Sequence, residues 1–193
     1  MEFEVKLAVD VPETMEQILA DPVIARAMAE PLLEIPMETT YYDTPEGSLS
    51  AKLWTLRRRM EGGSPVVTLK TPADVPDCRN EWETPEDDVL SAIPALISLG
   101  APAELQEVKA VRPVCGAAFV RRAVLLNLEG CAAELALDRG RLFRGDREAP
   151  IQELELELKG GDPAAMLALG EQLCRDYGLR PEPKSKFYRA SRL

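Results

Sequence analysis

Charged residues recur at every second position in several stretches of this chain. Near the start Glu2, Glu4 and Lys6 alternate with Phe3, Val5 and Leu7. Thr55, Arg57 and Arg59 share a parity further on, as do Thr68 with Lys70, and Arg79 with Glu81 and Glu83. Late in the chain Glu134 is in step with Asp138, and Glu153, Glu155, Glu157 and Lys159 form a row against Leu154, Leu156 and Leu158. A period of two sends each row to one face of a β-strand. Glutamates about 7 Å apart along a strand repel one another and stay ionised cheaply only when a cation is supplied. Two such acidic rows, one at each end of the chain, would if adjacent offer hard oxygen ligands to Mg²⁺ or Mn²⁺. The arginines and lysines, brought to one cavity, would make a polyanion site, because guanidinium forks match phosphate oxygens. Acids with a metal plus a ring of basic groups is the inventory of metal-assisted phosphoryl transfer. A solvated outer face is the competing reading of any single row. No Gly-x-x-x-x-Gly-Lys-Ser/Thr loop occurs, so phosphates would be held by side chains.

Composition narrows the chemistry further. The chain has no histidine, which excludes Ser-His-Asp and Cys-His catalysis and histidine-ligated zinc. Cys78, Cys115, Cys131 and Cys174 show no C-x-x-C spacing and read as buried reduced thiols. Thirty-three acids against 23 bases give a formal charge of −10, the wrong sign for a general nucleic-acid binder. An anionic ligand must therefore be held by a local concentration of Lys and Arg. No apolar run approaches the ~18 residues of a membrane span, and Met-Glu-Phe-Glu-Val-Lys is no signal-peptide core. A cytoplasmic protein with no membrane partner is the expectation.

The 193 residues, 46% hydrophobic and 29% charged, suffice to bury a core. Alternation predicts strands at Glu2–Val9, Glu38–Asp43, Leu53–Met60, Pro65–Thr71 and Arg79–Thr84, then at Glu107–Val114, Phe119–Asn127, Ala132–Asp138, Arg141–Arg144 and Ile151–Lys159. Glu61-Gly62-Gly63-Ser64, Glu129-Gly130 and Arg139-Gly140 read as hairpin turns. Helical patterns cover Pro12–Glu30, broken in two at Pro22, then Glu86–Leu99 and Asp162–Tyr177. Glu86-Asp87-Asp88 reads as an acid-rich helix start, and Gly178 as a helix stop. With no linker or repeat, residues 1–193 read as one α+β domain. Its many, mostly antiparallel strands suggest a closed barrel with helices outside, since closure removes edges.

These residues carry a resemblance. Glu2-Phe3-Glu4-Val5-Lys6 is similar to the E-x-E-x-K signature of the CYTH superfamily, the triphosphate tunnel metalloenzymes. Tyr41-Tyr42-Asp43-Thr44-Pro45 resembles its Y-[FY]-D-T segment, Leu56-Arg57-Arg58-Arg59 its L-R-x-R, and Thr68-Leu69-Lys70 its T-L-K. Arg79-x-Glu81-x-Glu83, Leu137-Asp138-Arg139-Gly140, the row from Glu153 to Lys159, and Ser185-Lys186 continue the match in order to residue 186.

The resemblance implies an eight-stranded antiparallel tunnel that binds inorganic triphosphate, or a nucleoside or thiamine triphosphate, with Mg²⁺ or Mn²⁺. It implies Glu2, Glu4, Glu155 and Glu157 as metal ligands, with Asp138 and Glu153 as further candidates. Lys6, Arg57, Arg59, Lys70, Arg121 and Lys186 would hold phosphate oxygens. Activated water would attack the terminal phosphorus, a glutamate (Glu4 or Glu157) would take its proton, and Lys6 would stabilise the developing charge.

Hydrolysis of inorganic tripolyphosphate is the minimal reading, because it needs only phosphate and metal contacts. Thiamine triphosphatases of the family keep an aromatic residue directly before L-R-x-R. That position is Thr55 here, and Trp54, one residue earlier, belongs to the opposite face. Trp54 and Trp82 are expected to pack under helices. A class IV adenylate cyclase is an alternative, although two Trp, four Tyr and four Phe are a thin stock for base stacking. A binding module without turnover is another. Arg139, Arg141, Arg144 and Arg147 would either guard the tunnel mouth or pair with acids at the surface. The assembly would be a monomer or a homodimer.

Overall fold

The computed structural model describes residues 2–75 and 78–193. In chain order the elements are β1 (Glu2–Ala8), α1 (Glu13–Leu19), α2 (Pro22–Ala27), β2 (Leu33–Asp43), α3 (Ser48–Ala51), β3 (Thr55–Glu61), β4 (Ser64–Pro72) and β5 (Cys78–Thr84). There follow α4 (Ile93–Ser98), a 3-10 turn at Ala103–Glu107, β6 (Arg112–Leu128), β7 (Cys131–Arg144), β8 (Arg147–Gly161), α5 (Ala164–Tyr177), β9 (Arg180–Pro181) and α6 (Lys186–Ala190). The antiparallel sheet runs β5-β4-β3-β2-β6-β7-β8-β1-β9, and β5 pairs back onto β1. Eight strands therefore close a barrel, with β9 outside it. At the seam Glu2 faces Arg79 and Phe3 faces Cys78, while Leu7 and Ala8 on the same edge pair with β9.

Apolar residues of opposite parity to the charged rows build the outer cores. Leu7, Leu126, Leu135, Leu154 and Leu156 pack against Ile18 of α1, Ile24 of α2 and Leu173 of α5. Leu56, Val67 and Leu69 pack against Leu49 of α3 and Leu96 of α4, and Trp54 and Trp82 lie on this second cluster, as expected. A third cluster sits inside the barrel. Met37, Tyr41, Phe119, Leu142 and Ile151 meet Phe187 and Ala190 of α6, which closes that end.

Some boundaries differ from the sequence reading. The two strands expected around residue 116 are one strand, β6, and Glu107 belongs to the 3-10 turn. The hairpin expected at Arg139-Gly140 does not exist, because β7 runs through it. Gly140 is a close-approach glycine rather than a turn residue, and Gly116 within β6 is another close-approach glycine. A Cβ on Gly116 would lie 2.2 Å from the Phe143 ring, and one on Gly140 2.2 Å from the Ala118 carbonyl oxygen. The turn that does follow β7 uses Gly145, at φ 56°, as Gly62, Gly63 and Gly130 serve theirs. The helix expected over Glu86–Leu99 is confined to α4. Pro94 lies in its first turn, and the Asp88 carboxylate ahead of it accepts the Ser91 N–H. Elsewhere the signals hold: Asp21 caps α2, which has Pro22 in its first turn, and Gly178 ends α5 at φ 67°.

Candidate active site

Strand parity turns the charged rows inward. Glu2, Glu4 and Lys6 of β1, Arg57 and Arg59 of β3, Lys70 of β4, Arg121 of β6, Glu155 and Glu157 of β8 and Lys186 of α6 line one cavity of about 480 Å³. Glu4 faces Glu157 across β1 and β8, Lys6 faces Glu155, and Glu134 of β7 faces Glu157 from the other side. Directly opposed residues hold their Cβ atoms about 5 Å apart, so the two acidic rows are neighbours on one surface. Arg58 points outward and pairs with Asp87. The basic group at residues 139–147 also stays outside: Arg141 lies 3.5 Å from Glu148 with both side chains more than half exposed, and Arg144 donates to the Ser191 carbonyl.

The acids separate into two sets. Toward α6, Asp138, Glu153 and Glu155 bring carboxylate oxygens within 4.8 Å of one another. That spacing would suit a metal, but the cation among them is the Lys186 ammonium, 2.7 Å from Asp138 Oδ2, 2.9 Å from Glu155 Oε1 and in contact with Glu153. The Arg121 guanidinium donates to both oxygens of Asp138 at 2.8 and 2.7 Å and to Glu155 at 2.5 Å. Burial works against charge at Lys186, yet Glu155, Asp138 and Glu153 together raise its pKa above the ordinary value. Burial likewise opposes ionisation of Glu155, and Lys186, Arg121 and Lys6 overcome it and hold the carboxyl well below its usual range. Asp138, expected among the metal ligands, is wholly enclosed at 0% exposure, with Lys186 and Arg121 on its carboxylate. Glu155 faces the cavity but is committed to lysine and arginine.

The second set is Glu2, Glu4, Glu134 and Glu157. Its cations are shared. Lys70 lies 2.5 Å from Glu2 but also 3.3 Å from Glu81. Lys6 lies 3.0 Å from Glu4 and 3.8 Å from Glu155. Lys159 serves both Glu157 at 2.9 Å and Glu134 at 3.9 Å. Burial raises the pKa of Glu157, with Glu2 and Glu134 adding to it against the opposing pull of Lys159. Carboxylates from three strands, facing one cavity and sharing their cations, are a donor set that fits a hard divalent cation.

The basic wall has the complementary property. Arg57 reaches Glu81 at 3.3 Å. Arg59 makes no ion pair among the described residues, and its only side-chain hydrogen bond there is a long donation to Thr39 Oγ1 at 3.4 Å. Burial, with the neighbouring Arg57 and Arg121, pulls the Arg59 pKa down to about 10, so it remains charged at neutral pH. Three neighbouring guanidiniums, one of them paired with no carboxylate among the described residues, are stabilised by an anion between them. The aromatics on the cavity are Tyr41 and Phe187, with ring centroids 5.3 Å apart, packed on each other where α6 closes the barrel. Thr39 and Phe187 carry no signal in the sequence, whereas Glu81 and Glu134 belong to the alternating rows.

A family model described as the CYTH domain matches residues 1–191. The chain is 31% identical over 126 residues, 64% of its length, to an inorganic triphosphatase of Haemophilus influenzae; the match covers 36% of that protein, so the chain spans about a third of this curated relative. Its fold is similar to that of Hippeastrum HpAC1, described as having a dominant triphosphatase activity, with a TM-score of 0.63 and 20% identity over 100% of this chain and 95% of that one. A Pyrococcus horikoshii protein gives a TM-score of 0.58 at 20% identity, over 97% of both chains. At such identities the structural likeness speaks for the barrel alone. Among the described residues no helix is long and apolar enough to cross a membrane.

Proposed function

The chain belongs to the CYTH domain family, and on that premise we propose that it hydrolyses a triphosphate compound with a divalent metal, Mg²⁺ or Mn²⁺. Inorganic tripolyphosphate, split to pyrophosphate and phosphate, is the substrate that the cavity favours. The observation carrying this reading is the pairing of a cation-short acidic patch with a basic wall in which Arg59 pairs with no carboxylate among the described residues.

In this reading Glu2, Glu4 and Glu157, with Glu134 beside them, hold the metal. Bound there, the metal supplies charge neutralisation at the phosphates and a lowered pKa for water. Arg57, Arg59, Lys70, Arg121 and Lys186 grip non-bridging phosphate oxygens as charge-assisted donors. Lys6, set between Glu4 and Glu155, faces the charge that develops on the phosphoryl group. Glu4 and Glu157 are the carboxylates we assign to accept the proton of the attacking water. Asp138 and Glu155 act differently, as counter-ions that keep Arg121 and Lys186 charged and in place. Among the described residues the cavity offers a nucleobase or thiazole ring no free aromatic platform, because Trp54 and Trp82 face the outer core and Tyr41 and Phe187 pack on each other. Recognition therefore rests on phosphate contacts.

The test is phosphate release from tripolyphosphate and from ATP, with Mg²⁺, with Mn²⁺ and with EDTA. Metal-dependent release from tripolyphosphate is expected. Cyclic AMP with pyrophosphate from ATP would make the protein a cyclase, and tight binding without product would make it a capture module.

A further inference from the structure

We propose that Glu153 and Arg189 are positioning residues for the site: they fix the Lys186 ammonium at the cavity wall, although neither side chain lines the cavity. The inference rests on the reading of Lys186 as a phosphate ligand. Lys186 is the first residue of α6, a helix of five residues capped by the Ser185 hydroxyl, which accepts the Tyr188 N–H at 3.1 Å. A helix this short has little stability of its own and takes its position from tertiary contacts. Phe187 and Ala190 supply the apolar part, and the ionic part converges on Glu153. Lys186 and Arg189, three residues apart on one side of the helix, contact its two oxygens separately: the lysine meets Oε1 and the arginine Oε2. Arg189 also lies 3.8 Å from Glu182, whose backbone N–H donates to the Lys6 carbonyl at 2.8 Å. One carboxylate of β8 thus ties both ends of α6 to the barrel wall, and Arg189 joins the same wall to the segment beside β1.

Glu153 is at 0% exposure, and a carboxylate so enclosed persists only with cations on it. Among the described residues its two ion-pair partners are Lys186 and Arg189, both on α6. Asp138 and Glu155, by contrast, are shared with Arg121 and would hold the ammonium without fixing the helix. Without the Glu153 clamp, Lys186 keeps its charge and its contacts to Asp138 and Glu155, but α6 loses the joint anchor through Arg189 that sets how far along the wall the ammonium reaches.

Glu153→Gln separates positioning from simple electrostatics by sign. Taking a negative charge from beside Lys186 would, on charge alone, tighten binding of an anion. Positioning requires the reverse. Calorimetry with tripolyphosphate in EDTA should show about tenfold weaker binding, and KM with metal should rise by a similar factor while kcat changes little. Arg189→Met should do the same, and Arg189→Lys should recover part of the loss, which also covers the case of a Glu153 variant that does not fold. In a Lys186→Met background neither substitution should add a further loss, since coupled residues are not additive. Unchanged or tighter binding in Glu153→Gln, or full additivity with Lys186→Met, overturns the proposal while leaving Lys186 a phosphate ligand. Unaltered tripolyphosphate binding and kinetics in Lys186→Met alone would instead remove the reading on which it rests.

Discussion

Glu155 and Glu157 stand two residues apart on β8, face the same cavity, and are held in opposite electrostatic states. Lys186, Arg121 and Lys6 keep Glu155 ionised to low pH in spite of its burial. Glu157 is raised by burial and by Glu2 and Glu134, with Lys159 alone of the nearby cations working strongly against this. The difference lies in how much positive charge the fold delivers to each carboxylate. Where the chain supplies its own cations, close-set acids become a clamp. Where the cations are shared among several acids, the same residue type stays receptive to a metal. Proximity of carboxylates is therefore a poor guide here: among the described residues the close-set group of Asp138, Glu153 and Glu155 is the one already met by lysine and arginine.

The basic side offers the strongest way to break this comparison. Lys186→Met leaves three buried carboxylates short of their shared partner. Breaking a buried pair costs about 3–5 kcal/mol, on the order of 10 °C in Tm for a chain of this size. Arg59→Met should lower kcat/KM for tripolyphosphate by about 10²-fold or more, as loss of a charge stabiliser does. Its Tm should hold or rise. A cation whose pKa falls to about 10 on folding is a burden at every pH below that value, and the burden disappears only as pH climbs toward 12.5. Arg58→Met, on the outer face, should change kcat/KM far less. Thermal melts and steady-state kinetics of the three variants check this, and equal losses at Arg58 and Arg59 would refute the parity argument.

A metal titration sharpens the acidic side. With divalent metal at about 100 times its Kd the wild type should gain roughly 2.7 kcal/mol, or about 5–10 °C in Tm. Glu157→Gln should lose most of that gain together with hydrolysis. Asp138→Asn, which damages only the clamp, should keep the metal-induced gain on a lowered baseline. A wild type without a shift, or a Glu157→Gln variant with the full shift, would sink the proposed ligand set.

Much of this site was legible in the sequence, because a strand's period of two is a local property. The inward parity of Glu2, Glu4, Lys6, Arg57, Arg59 and the β8 row follows from alternation with Phe, Val and Leu, and so does the exclusion of Trp54 from the cavity. What alternation cannot show is which cation meets which acid. Glu155 and Glu157 are indistinguishable in the row, and the lysine that separates them arrives from position 186, on a helix too short to leave a periodic pattern. Gly140 misled for a related reason. Glycine marks a turn when φ is positive and a close approach when another chain presses on it, and only the packed barrel tells the two apart.

The smallest expected effect is also the most direct reading of the two electrostatic states, and it needs no metal. Melts of the metal-free protein across pH 4 to 8 should move Glu155→Gln and Glu157→Gln in opposite directions relative to the wild type. Glu155 has a folded pKa well below its ordinary 4.5, so its ionised form stabilises the fold above that pH. Glu155→Gln should then be least stable relative to wild type at neutral pH, and the deficit should shrink as pH falls below 4.5. Glu157 has a folded pKa above 4.5. Wild-type stability from this group declines as pH rises through 4.5 toward the folded value, and the glutamine variant escapes that decline. Glu157→Gln should match the wild type near pH 4 and exceed it by on the order of 1–3 °C at pH 7. A Glu157→Gln variant less stable than wild type at pH 7 would mean that Lys159 fully compensates this carboxylate. The two halves of the β8 row would then be alike, and the acidic patch would have no unmet demand for a metal.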